Sequence, residues 1–188
     1  MASVSDNGLH YSWDWGPAHF VNLGIIVGGD KSVTRKRRYA ALDSLDFLVA
    51  DLRDGVGSSR RPVVITHHLD IARHTGPCDP TSPVGGKEWD PCDVRAFYDA
   101  IQEFNIAAIF YGHTHARDVF RWDGLSKKAA SGLSVYNVDN GGHFKGLKQA
   151  FFYVEMDSRG VKVREFKTED AWQTGSFTPQ VWTSRHVG

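Results

Sequence analysis

Residues 111–115 read YGHTH, two imidazoles one residue apart directly after the apolar run IAAIF. Residues 62–68 read PVVITHH, a short β-branched run that also ends in two imidazoles. Neutral imidazole is the commonest protein ligand for transition metals, and three such rings leave an open position for water on zinc or a similar ion. Rings stacked at strand ends contribute little to packing. His67, His68, His113 and His115 therefore point to a metal centre, for which Zn, Mn and Fe are all suitable ions.

Such a centre needs polar helpers. Asp14, Asp70, His74, Asp139 and His143 each fall in a loop or near a strand end. The segment NVDNGGH makes Asp139 and His143 the candidate catalytic pair, because they follow a strand-like run and Gly-Gly allows close ligand approach. Trp89, Trp122 and Phe144 would favour aryl leaving groups if they lined the mouth of the site, but burial is the expected role of each. Tyr11, Trp13 and Trp15 recur at strand spacing and read as core.

The elements that must position these groups follow from periodicity. YSWDW alternates with period two, breaks at Gly16-Pro17 and resumes from His19 to Val27, which predicts a hairpin. Leu42, Leu45, Leu48, Val49 and Leu52 are spaced as one helical face, so residues 39–54 read as a helix ended by Gly55. RPVVITHH and IAAIFYG read as buried strands, with a helix between them capped by Asp93 and carrying Val94, Phe97, Ile101 and Phe104. GLSVYNVDN, KQAFFYVEMD and GVKVREFKT read as an antiparallel meander, and the tail from about residue 168 reads as irregular. The expected architecture is a single α/β domain over residues 1–188, a mixed β-sheet sandwich flanked by helices.

VVITHH followed by IFYGHTH resembles the second half of a calcineurin-like metallophosphoesterase, whose last two metal motifs are a strand-end His and Gly-His-x-His. HYSWDWGPAHFVNLG is similar to the Tyr-Ser-x-Asp-x-Gly-x-x-His-Phe-Val strand pair of purple-acid-phosphatase-like and bacterial members, and SLDFLVADL resembles the helix that follows. The resemblance spans residues 10 to about 165. It implies that His113 and a strand-end His hold one divalent ion and that His115 serves a second. The strand-end position admits either His67 or His68, with His68 preferred.

The family's first-half motifs, Asp-x-His, Gly-Asp-x-x-Asp and Gly-Asn-His-Asp/Glu, do not occur here. A bridging carboxylate for two like-charged ions is thus missing. One ion held by three imidazoles remains possible, lowering the pKa of bound water towards ~7 and presenting hydroxide to phosphorus. The implied function is hydrolysis of phosphodiester or phosphotriester small molecules. The alternatives are an inactive metal- or partner-binding module and a fragment of a longer dinuclear phosphoesterase. The missing half would leave a strand edge and apolar surface exposed, so a homo-oligomer is expected.

Composition removes other classes. Lys+Arg and Asp+Glu number 22 each, giving zero formal charge and no long-range field for nucleic acid or an anionic membrane. The local cluster Arg35, Lys36, Arg37 and Arg38 reads as a solvated helix entry. No apolar run approaches the ~18 residues of a membrane helix, and MASVSDNGLH has no signal-peptide pattern, so a soluble, untargeted chain is expected, cytoplasmic as it stands, with its compartment open. Cys78 and Cys92 flank a Pro- and Gly-rich stretch, open to a disulfide or to two free thiols.

Overall fold

The computed structural model describes residues 2–29, 39–81, 87–138, 146–157 and 159–185. In chain order the elements are β1 (Ser3–Val4), β2 (Tyr11–Trp15), β3 (Ala18–Asn22), α1 (Ser44–Asp51), β4 (Val63–Thr66), α2 (Ile71–His74) and α3 (Pro91–Ile101). They continue with β5 (Ile106–Tyr111), β6 (Asp118–Trp122), β7 (Leu133–Asn137), β8 (Gln149–Asp157), β9 (Gly160–Thr168) and β10 (Ser176–Arg185).

Two sheets result, a seven-stranded one in the order β1-β2-β3-β4-β5-β7-β6 and a three-stranded one in the order β10-β9-β8. Strands β3, β4, β5 and β7 run parallel, so their carboxyl ends share one edge. Strict alternation sorts their side chains. Val21, Ile65, Ile109 and Val135 face α1 and α3, meeting Leu48, Leu52, Val94, Phe97 and Ile101. Val64, Ala108 and Tyr136 face the smaller sheet and pack with Val161, Val163, Phe152 and Trp182. The α/β sandwich is therefore three layers deep: helices, mixed sheet, antiparallel sheet.

The hairpin β2–β3 is tied to α1 by buried polar groups. Ser12 Oγ donates to Asp51 Oδ1 at 2.6 Å, while the two ring nitrogens of His19 lie 2.7 Å from Asp51 Oδ2 and 2.8 Å from Asp14 Oδ1. Arg61 completes the network 3.0 Å from Asp14. Burial pulls the pKa of His19 down, but hydrogen bonds to Asp51 and Asp14 outweigh it and raise the pKa overall. Gly55 packs closely here: a Cβ at that position would sit 3.1 Å from His19 Cε1 and press on the ring.

Four expectations are corrected in detail. Helix α1 begins at Ser44 rather than 39, since Leu42 and Asp43 are left-handed and Ser44 Oγ is drawn to the Ile26 carbonyl. The cap of α3 is Asp90, whose carboxylate accepts from Cys92 N, with Pro91 in the first turn and Asp93 one step inside. Strand β7 joins the large sheet parallel to β5 instead of entering the meander. Residues 176–185 form β10 rather than an irregular tail; a register shift between Phe177 and Val181 interrupts the alternation that would have announced it.

The smaller sheet leaves part of the larger one uncovered. Trp13, Trp15, Phe20, Thr66 and Phe110 line a cavity of about 500 Å³ against Val154 and Met156 of β8. Trp15 is 76% exposed, and among the described residues β8 pairs only with β9. Among the same residues, no helix is long and apolar enough to cross a membrane.

Candidate metal centre

Strands β4 and β5 pair in parallel with Thr66 opposite Phe110, so the residues that follow each strand leave the sheet together. Two backbone bonds hold the exits: His67 N donates to Phe110 O and Gly112 N donates to His68 O, each at 3.1 Å. Across this joint His113 Nδ1 lies 3.1 Å from His68 Nε2.

The turn carrying His113 is strained. His113 and His115 adopt φ of 73° and 55°, a left-handed backbone that non-glycine residues rarely take. Asn137 holds it there. From the end of β7 its amide donates to Thr114 Oγ1 and to the Ala116 carbonyl. Non-glycine strain of this kind concentrates at functional sites, where surrounding contacts impose it.

The two histidines after β4 have opposite environments. His67 is 6% exposed and packs edge-on against Trp89 and Phe97 while stacking on Tyr111. Burial, reinforced by His68, pushes its pKa down to about 3, so the ring is neutral. His68 is exposed and meets His113. Burial of its inner edge, then repulsion from His113 and His115, lowers its pKa too. The structure thus brings His68 to His113 and turns His67 into the helix-side core; His115 sits on the exposed side of the same turn.

One residue in contact with the pair has no motif to announce it. Glu88 Oε1 lies 3.2 Å from His113 Nε2, on the ring edge opposite His68. Its other oxygen is 3.6 Å from Arg73 and 3.8 Å from His74 Nε2. Neighbouring residues hold it in place. Trp89 is fully buried with Nε1 donating to Val27 O at 2.8 Å, Asp90 caps α3, and Cys78 and Cys92 form a disulfide. The only sequence signal was the helix start Asp90-Pro91, which fixes where the preceding residues must emerge.

The other sequence candidates disperse. Asp70 caps α2, accepting from Ala72 N and Arg73 N, and His74 is buried. Asp14 lies at the opposite end of the strands with His19 and Arg61. Trp89 and Trp122 are fully buried, the role expected of them, and do not line a mouth. Asp139, His143 and Phe144, like Arg35, Lys36, Arg37 and Arg38, lie outside the described residues.

The spacing of His68 and His113 lies in the range that two imidazoles on one ion would have. Two nitrogens each ~2.0–2.1 Å from one ion stand about 2.9 Å apart at a right angle and about 3.4 Å apart at the tetrahedral angle. The observed 3.1 Å falls between these limits. Among the described residues, no three His, Cys, Asp or Glu side chains converge as a ligand group. Glu88 does not complete one, since it faces the far edge of His113. No protein-family model matches the chain, and a search of the curated proteins finds no match.

Proposed function

We propose that the protein is a metal-dependent phosphoester hydrolase acting on small phosphodiesters or phosphotriesters, with His68 and His113 as its first ligands. The observation that carries this reading is the 3.1 Å approach of two imidazole nitrogens at the ends of adjacent parallel strands, on a turn held in strained backbone. The carboxyl edge of parallel strands is where open α/β sheets bind ligands. A bound divalent ion would supply a water nucleophile at neutral pH and polarise the phosphoryl oxygen.

The chain's own residues argue for low substrate charge. Among the described residues, Arg73, a cation near the pair, already faces Glu88. A phosphomonoester dianion would therefore find little compensation, whereas a diester monoanion or neutral triester needs less. Elemental analysis of protein purified without chelator, with turnover of p-nitrophenyl di- and triesters, tests the reading. Metal-free protein that neither binds added zinc nor hydrolyses either ester would refute it. A second reading, a non-catalytic metal- or partner-binding module, draws on the two-ligand set and the uncovered aromatic face around Trp13, Trp15 and Phe20. Metal content without turnover would favour it.

A further inference from the structure

Resting on that metal reading, we infer that Glu88 is the positioning residue of the centre: it fixes the His113 tautomer and aims Nδ1 at the ion. A neutral imidazole carries one N–H, and an ionised carboxylate only accepts. The 3.2 Å contact between Glu88 Oε1 and His113 Nε2 is therefore made by an Nε2–H donating to the carboxylate. In the neutral ring, the form a metal requires, that leaves the lone pair on Nδ1, the nitrogen facing His68 at 3.1 Å. In the metal-free protein His68 donates Nε2–H to this lone pair; ion binding requires His68 to carry its proton on Nδ1 instead. His113 needs no such change. A ligating histidine whose other nitrogen donates to a carboxylate has a fixed ring and a more basic donor atom.

The placement of Glu88 is built rather than incidental. Its side chain is 15% exposed, and its second oxygen is turned to His74 and Arg73. Trp89 and the cap of α3 set the backbone on one side, and the Cys78–Cys92 bridge ties the start of the loop to that helix. The carboxylate can thus hold His113 against rotation of its ring, a freedom the left-handed backbone at that residue does not itself remove.

The experiment compares the wild-type chain with Glu88→Ala, Glu88→Gln and His113→Ala. Zinc affinity is measured by competition with a chromophoric chelator, and the His113 tautomer by ¹⁵N shifts of the metal-free protein. Glu88→Ala should weaken zinc about 10- to 100-fold, the range for lost outer-shell partners. It should also mix the tautomers of His113. Glu88→Gln, whose amide oxygen still accepts from Nε2–H, should lose less than Ala and keep the Nε2–H form. If wild type binds zinc, His113→Ala abolishes binding and both Glu88 variants match wild type, the positioning role is overturned while the metal centre stands. If wild type binds no zinc, both fall. A misfolded Ala variant leaves the Gln variant and the wild-type tautomer to decide: an Nδ1–H form of His113 overturns the inference.

Discussion

His68 Nε2 and His113 Nδ1 meet at 3.1 Å although 45 positions separate the two residues in the chain. The parallel pairing of β4 with β5 accounts for the meeting, because it brings both strand ends out at one point. His68→Ala or His113→Ala should therefore reduce bound metal to a trace with little change in unfolding temperature. His67→Ala should keep the metal and destabilise the fold by about 2–4 kcal/mol, as loss of a large buried side chain does. Plasma emission analysis and thermal unfolding of the three variants separate these outcomes.

Two buried histidines should give the stability curve opposing pH dependences. The folded pKa of His67, about 3, lies below its unfolded value, so the stability it allows is present above ~6.5 and is lost as the pH falls towards 3. The loss proceeds at up to ~1.4 kcal/mol per pH unit, and His67→Phe should flatten this acid limb. The folded pKa of His19 is raised, so its contribution is complete below ~6.5 and disappears as the pH rises through the folded value. His19→Gln should therefore cost more stability at pH 6 than at pH 9. Urea titrations across this range read both slopes.

The disulfide joins residues 14 positions apart. Closing a loop of this size restricts the unfolded chain by about 3 kcal/mol. Replacing both Cys78 and Cys92 by Ser should lower unfolding free energy by about 2–3 kcal/mol, with dithiothreitol reproducing the effect on wild type and leaving the double variant unchanged.

Substrate preference should follow charge. Catalytic efficiency on matched p-nitrophenyl esters is expected to run triester or diester above monoester, rising with pH near the metal-water pKa and vanishing with chelator. A monoester preference would mean that cationic groups outside the described residues, or from a second subunit, complete the site.

Among the described residues, the uncovered face of β2–β4 and the bare edge of β8 lie side by side, a surface that a second copy of the chain can cover. Sedimentation velocity should show a dimer at tens of micromolar protein. Trp15→Glu combined with Val154→Lys should shift it to monomer without altering the far-ultraviolet spectrum; an unchanged distribution would place any association elsewhere.

The parallel core was legible because β4 and β5 are short β-branched or apolar runs bounded by Pro62 and Gly112, and α3 because Val94, Phe97 and Ile101 keep helical spacing. Strand β10 was not, since its bulge breaks the period on which such reading depends. At the candidate site, His68 and His113 announced themselves by type and position at strand ends. Glu88 did not, because it meets His113 through a contact across 25 residues that no local pattern encodes. Nor did Asn137, whose grip on the turn depends on β7 lying beside β5.

The doubled histidine after β4 makes that strand tolerant of error in one direction only. Residues 67 and 68 occupy a dry socket among Trp89, Phe97 and Tyr111 and a wet one beside His113. Inserting one residue within β4 would move His67 into the wet socket and Thr66 into the dry one, so an imidazole would still face His113. Deleting one would push His68 into the aromatic box and offer Leu69 to the partner ring. Length changes of equal size and opposite sign should therefore have unequal consequences for the metal, the insertion sparing what the deletion destroys.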